Sequence, residues 1–303
     1  MWPLFCIRPA WGATTAHVSE PGLHPSGHAT LISMIHILQA LLLGVIEGVT
    51  EFLPISSTGH LLISQELMNF KDSHELFAVV IQLGAIAAVV WYYRQDLWQK
   101  SLGLLRREAV ALNFWKILAL GTIPAGIIGL AFDRVSSAIS VPVVIALALI
   151  IGGVVLWLVD NKPVHSKDDP VTLESITTKQ ALLIGLGQCV AMVPGVSRSG
   201  ATIVSGLAVK LNRPTATAFS FYLSIPVLVL ASAYKLAKYS SDVPHISGGW
   251  GAITVGLVAA FFTALLAISW LIRYIAHHNF KPFAYYRIAL GVLILLAVLV
   301  GWL

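Results

Sequence analysis

Residues 142–159, PVVIALALIIGGVVLWLV, carry no charged side chain, and runs almost as apolar recur at about 76–93, 114–132, 216–234, 250–272 and 283–303. About 20 such residues wound as a helix cover the roughly 30 Å of hydrocarbon in a bilayer. An open sheet cannot satisfy its backbone there, so these runs read as transmembrane helices. Composition agrees: 57% of the chain is hydrophobic and 11% charged, whereas about 25% is charged in ordinary soluble domains. The expected fold is an all-α polytopic membrane protein. The net charge of +5 is modest and gives no sign of nucleic acid. Cys6 and Cys189, the two cysteines, suggest neither a disulfide framework nor a metal cluster.

Against this background, ionisable residues inside apolar stretches are informative, because each is costly in lipid unless it faces a cavity or a partner. Two stretches collect them. Glu47 to His60 reads EGVTEFLPISSTGH, and Pro194 to Thr202 reads PGVSRSGAT. The apolar run from Ile35 to Leu53 is ended by Pro54, and a second short piece runs from His60 to about Leu67. Two short pieces joined by a polar turn predict a re-entrant hairpin, tolerated at depth only where protein or a wet cavity surrounds it.

The pattern repeats at an offset of 141: Ala40-Leu41-Leu42 matches Ala181-Leu182-Leu183, Gly44 matches Gly185, Ser56 matches Ser197, Gly59 matches Gly200, and Glu47 falls opposite Gln188. Pro142 and Pro282 open the last run of each half. The reading is an inverted-topology repeat, each half one re-entrant helix hairpin plus three transmembrane helices, since an odd number of spans reverses the second half. Residues 1–33 form a tail, disordered or an upstream start-site artefact, with Met34 directly before the first helical run. Residues 34–160 are the first repeat, 161–179 a cytoplasmic connecting loop and 180–303 the second repeat. Thirteen lysines and arginines, Arg287 among them, fall on one side of this scheme against five on the other, which makes the first side cytoplasmic. Arg198, in the second hairpin, belongs to neither count.

Glu47 and Glu51 are four apart and share a helix face. Two such carboxylates either bind a divalent cation through oxygen or share a proton and act as acid and base. Ser56, Ser57 and Thr58 follow a proline and precede an apolar run, the signature of a helix N-cap. A capped N-terminus presents N–H groups and partial positive charge, hence a phosphate site. Ser197 and Ser199 place a second such terminus in the other half, where Arg198 is able to grip phosphate oxygens in bidentate fashion. His60 is suited to proton transfer at neutral pH. The pattern thus points to a phosphate site and leaves phosphatase and transporter both open.

EGVTEFLPISSTGH together with PGVSRSGAT resembles the undecaprenyl-diphosphatase family, the membrane phosphatases associated with bacitracin resistance; VIQLGA at 80–85 and KPFAYYR at 281–287 extend the similarity over about residues 35 to 303. The resemblance implies hydrolysis of undecaprenyl diphosphate to undecaprenyl phosphate and inorganic phosphate, which regenerates the lipid carrier of cell-wall precursors. It further implies a bacterial cytoplasmic (inner) membrane location, a site opening to the outer, periplasmic face, and a divalent cation, Mg2+ or Ca2+. Carried over by motif, Glu47, Glu51, Ser57, His60 and Arg198 are catalytic, with Glu47 and Glu51 also metal-linked; Ser56, Thr58, Ser197, Ser199 and Thr202 bind phosphate. Expected partners are the polyprenyl lipid and membrane lipids, with a homodimer left open. Either Ser57 attacks phosphorus, or a metal-bound water attacks and Ser57 orients the phosphate.

Overall fold

The computed structural model describes residues 25–161 and 172–302. Among them are eleven α-helices and no strand: α1 (Pro25–Thr50), α2 (Ser57–Leu67), α3 (Leu76–Tyr92), α4 (Arg94–Leu105), α5 (Ala109–Ile139), α6 (Pro142–Asp160), α7 (Thr178–Gln188), α8 (Arg198–Ala208), α9 (Arg213–Tyr239), α10 (Gly249–Ile275) and α11 (Lys281–Leu299). Local chemistry sets the starts. Proline occupies the first turn of α6, α9 and α11, where its missing N–H is not needed. A capping box of Thr177 and Gln180 opens α7, and the Asn212 side chain accepts the Thr215 N–H at 2.8 Å to open α9.

Seven helices are long and apolar enough to cross a membrane: α1 from Leu31 onward, α3, α5, α6, α9, α10 and α11. Six correspond to the expected spans. The seventh, α1, corrects the expected boundary of the tail: the helix begins at Pro25, not after residue 33. Ala29, Leu31 and Ile32 favour helix despite the serine, threonine and histidine among them, and a proline is tolerated in the first turn. The expected tail over 1–24 lies outside the described residues.

α1 ends beside the middle of α10. It runs beside α10 in the same direction: Gly248 lies against His36, Gly44 against Gly256, and Gly48 against Thr263, which leaves twelve further residues of α10 beyond that point. The second hairpin behaves alike, with α7 seated on α5 where Gly185 meets Gly121. Both contacts require glycine. A Cβ on Gly44 would come within 2.3 Å of the Gly256 carbonyl, and one on Gly185 within 2.5 Å of the Gly121 carbonyl. Small residues are what let helix backbones approach so closely in a membrane protein.

One helix was not anticipated. α4 spans Arg94 to Leu105 in what reads as a charged loop. Its Asp96 and Lys100 pair four residues apart, and Trp115 of α5 donates to the Lys100 carbonyl at 3.2 Å. Its charges keep it from reading as a span, while Trp98 and Leu105 are exposed.

Around the hairpins, α3 crosses α9, α6 pairs with α11, and α10 packs on both α1 and α3. The tips meet inside: α8 packs on α6 and α9, and α2 on α6. Phe52, fully buried in the first hairpin turn, sets its ring edge-on to Phe221 of α9 at 5.1 Å between centroids. That anchors the turn to the main apolar cluster, which includes Ile203 and Leu207 of α8.

Candidate functional site

Each hairpin breaks at a serine that caps the next helix. Ser56 has φ 74° and ψ 91°, and its Oγ accepts the Gly59 N–H; Ser197 has φ 73° and ψ 115°, and its Oγ accepts the Gly200 N–H at 3.0 Å. These are the residues matched at the offset of 141. A non-glycine residue held at such angles costs about 1–3 kcal/mol and persists only when its surroundings enforce it. The strained caps aim the N-termini of α2 and α8 into the interior. The first N–H groups of each helix have no partner within it, so both ends favour an anion.

The two termini face a cavity of about 580 Å³. Its polar end is formed by Glu51, Ser56, Ser57, Thr58, Ser197 and Arg198, with Gln188 beside them. From there it runs between apolar side chains of α3, α5 and α9, Val79, Leu130 and Leu230 among them, to Glu75, Ser140, Tyr234 and Lys235. Pro124 and Pro226 lie within α5 and α9 next to lining residues Ala125 and Val227. A polar end and a long apolar wall suit a charged headgroup on a hydrocarbon chain.

Glu51 is the hub of the polar end. One carboxylate oxygen accepts a short hydrogen bond from Ser57 Oγ, and the other lies 2.9 Å from Nη2 of Arg198. The pair is buried, with 4% of the Glu51 side chain and 11% of the Arg198 side chain exposed. Arg198 also donates from Nη1 to the Ser220 carbonyl at 2.9 Å and sits over the Phe52 ring. Its buried Nε has no partner among the described residues. A hydroxyl hydrogen-bonded to a carboxylate, which is itself oriented by a third group, is the geometry of an activated nucleophile.

Glu47 lies behind, fully buried, with its carboxyl group within hydrogen-bonding reach of that of Glu51; it has no other partner among the described residues, and both polar atoms of Gln188 have none there. Buried polar groups are nearly always satisfied, and the exceptions call for a proton, water or ion. Among the described residues no group of three or more His, Cys, Asp and Glu forms a metal cluster. The two carboxylates and the Gln188 amide oxygen are nonetheless hard oxygen donors, the type that Mg2+ and Ca2+ take, and Mg2+ ordinarily shares such a set with substrate phosphates.

Three expected contacts are not made. His60 does not line the cavity: its Nδ1 is 2.7 Å from the Ser56 carbonyl and its Nε2 is 2.7 Å from the Tyr286 hydroxyl. The helix explains this. Ser57, Thr58, Leu61 and Leu62 form the cavity face of α2, and at 3.6 residues per turn His60 points about 130° away from its middle. Ser199 is fully buried and donates to the Leu53 carbonyl at 2.8 Å, which ties the second hairpin to the first. Thr202 is likewise turned inward, 2.7 Å from the Ser220 hydroxyl. It braces the residue whose carbonyl receives Arg198. Ser56, Ser57, Thr58 and Ser197 do line the cavity, as does Arg198.

Two residues here escaped the sequence reading. Ser220 carried no signal, being one hydroxyl in an ordinary span. Arg287 did carry one. It lies two turns inside α11, within an otherwise apolar run, and is 1% exposed. It is therefore not one of the loop cations, and the count on that side loses it.

Residues 40–293 match the family model described as Bacitracin resistance protein BacA. The chain is 46% identical over 263 residues to an undecaprenyl-diphosphatase of Acinetobacter baumannii (strain ATCC 17978), covering 86% of this chain and 95% of that one. It is 41% identical over 279 residues to an undecaprenyl-diphosphatase of Bordetella pertussis (strain Tohama I), covering 86% of this chain and 96% of the relative.

Proposed function

The chain belongs to the bacitracin resistance protein BacA family, and from that premise we propose that it is an integral membrane phosphatase hydrolysing undecaprenyl diphosphate to undecaprenyl phosphate and inorganic phosphate. The observation that carries this reading is the linked set Ser57, Glu51 and Arg198 at the polar end of an apolar cavity. A carrier of intact lipid needs a headgroup site but no hydroxyl bonded to a buried base.

The diphosphate lies between the N-termini of α2 and α8, with the prenyl chain along the apolar wall. Ser57 Oγ attacks the terminal phosphorus as its proton passes to Glu51. The bond from that phosphorus to the bridging oxygen breaks, and undecaprenyl phosphate leaves with the electron pair. Arg198 and the helix N-termini offset the charge that builds on the phosphoryl oxygens, the effect that commonly dominates such catalysis. After the Glu51 proton is lost to solvent, Glu51 takes one from a water whose oxygen attacks phosphorus; the bond from phosphorus to Ser57 Oγ breaks, Oγ keeps the electron pair and takes the proton back from Glu51, and inorganic phosphate leaves.

The buried oxygens of Glu47, Glu51 and the Gln188 amide have the donor chemistry of a divalent-cation site, and these residues would hold Mg2+ or Ca2+. When bound, such an ion neutralises phosphate charge. The reading places the chain in the bacterial inner membrane, with its two halves inverted and the cavity opening to the periplasm. Its support is the clustering of Arg94, Lys100, Arg106, Arg107, Lys179, Lys210 and Arg273 toward the end of the bundle away from Glu75 and Lys235.

The test is phosphate release from undecaprenyl diphosphate by the purified protein in detergent, with and without a chelator, alongside Ser57→Ala and Arg198→Ala. The expected outcome is chelator-sensitive release that falls by about a hundredfold or more in both variants. Substantial turnover by Ser57→Ala would shift the attack to water. No release by folded wild type would leave a headgroup site that carries its ligand uncut.

A further inference from the structure

Arg287 is the largest fully buried side chain among the described residues, and no carboxylate pairs with it there. Its guanidinium is spent on carbonyl groups from three places at once. Nη1 donates to Pro54 O at 3.2 Å, in the first hairpin turn. Nη2 donates to Val196 O at 2.8 Å and Gly195 O at 3.2 Å, in the second. Nη2 also reaches Ala148 O at 3.2 Å, while Nε is 3.4 Å from Leu149 O, both on α6. Pro54 stands two residues before the strained cap Ser56, and Val196 stands directly before the strained cap Ser197. One side chain thus grips both turns just ahead of the residues that aim the two helix termini.

The space is reserved for it. A Cβ on Gly152 would fall 2.1 Å from Nη2, and a Cβ on Gly200 2.9 Å from Nη1. The charge is the second feature. A cation buried against carbonyl dipoles recovers part of its lost hydration from those contacts, and an opposite charge nearby recovers more. Arg198 is already matched by Glu51. Arg287 does not reach the cavity itself.

Resting on the phosphatase reading above, we propose that Arg287 is a positioning residue: it fixes the spacing of the two capped helix termini and leaves behind them a fixed positive charge that a bound diphosphate completes. Arginine is required for the first task, because five carbonyl contacts in three directions need its fork. A point charge suffices in part for the second.

The experiment compares wild type, Arg287→Lys, Arg287→Gln and Gly152→Ala in detergent, by kcat and KM on undecaprenyl diphosphate and by the rise in melting temperature that inorganic pyrophosphate produces. Arg287→Lys keeps the charge and loses the fork, so kcat should fall about tenfold or more while most of the pyrophosphate shift remains. Arg287→Gln should lose the shift and raise KM as well. Gly152→Ala, which displaces the fork with arginine still present, should resemble Arg287→Lys and covers the case in which a variant at 287 does not fold. A purely structural role predicts lower melting temperatures with unchanged kcat, KM and pyrophosphate shift per folded molecule, and that result overturns the proposal, as does wild-type kinetics in Gly152→Ala. The pyrophosphate shift is read without turnover. If wild type releases no phosphate yet the shift still depends on charge at 287, the phosphatase reading fails and the positioning role stands.

Discussion

At the scale of single residues, the site turns on one carboxylate that two partners share. Glu51 holds the Ser57 hydroxyl with one oxygen and Arg198 with the other. Glu51→Gln replaces one of those oxygens with an NH2 group, so either Ser57 or Arg198 then meets a donor. Turnover per folded molecule should drop by roughly 10²–10⁴-fold, the range of a lost general base, and the melting temperature should fall as well, because Arg198 loses its buried counter-charge; near-normal phosphate release would remove Glu51 from the chemistry. His60 makes the contrasting case. Both ring nitrogens are engaged outside the cavity, one of them on the carbonyl of the strained cap. His60→Gln should cost about tenfold or less, through a loosened Ser56, and a loss as deep as that of Glu51→Gln would return His60 to proton transfer. Glu47, Glu51 and Arg198 stood out in the sequence because each is an ionisable group within an apolar run, which lipid makes expensive; Ser57 stood out through the hydroxyl cluster after Pro54 and the motif that carries the resemblance. His60 stood out too, but its direction depends on helical phase relative to a cavity that the sequence does not display. Arg287 was misassigned because it sits near the start of its span, where a loop cation and a buried one read alike.

At the scale of elements, the two caps are the unusual feature. Ser56 and Ser197 take a positive φ, where glycine carries no Cβ penalty, yet both positions hold a hydroxyl that accepts an N–H three residues on. Strain and cap therefore oppose each other, and substitution separates them. Ser56→Gly loses the cap but relieves the backbone, so it should change stability by only a few tenths of a kcal/mol; Ser56→Ala loses the cap and keeps the strain, and should cost about 1–2 kcal/mol more. Thermal unfolding in detergent measures the difference, and equal losses would mean that the backbone at Ser56 is unstrained. The helix breaks that end at Ser56 and Ser197 could be read in advance from the prolines near 54 and 194 and from the offset of 141. The extension of α1 back to Pro25 and the presence of α4 could not. Both lie where hydropathy is intermediate, and there packing against α10 and α5 decides what propensity leaves undecided.

For the whole molecule the question is which way the cavity looks. It runs from the hairpin tips to Glu75, Ser140, Tyr234 and Lys235, and that end is rimmed by a network: Ser140 donates to Glu75 at 2.9 Å, Lys235 to the His74 carbonyl at 2.8 Å, and His74 lies 3.3 Å from Asp242. The opposite end carries Arg106, Lys179 and Arg273, together with the buried Asp160 that Arg213 clasps at 2.5 Å. Lysine and arginine accumulate on the cytoplasmic side of membrane proteins, since their loops are the ones not translocated. The mouth should then face outward, so that a diphosphate lipid in the outer leaflet slides its headgroup in beside α5 and α9 while its chain stays in hydrocarbon. A cysteine at Asp242 should react with a membrane-impermeant thiol reagent in intact cells, and a cysteine at Glu174 should react only after the cells are opened, each on a background lacking Cys6 and Cys189. The reverse labelling would put the mouth inside. A hydrolase so placed would act on lipid in the cytoplasmic leaflet, before that lipid crosses the membrane.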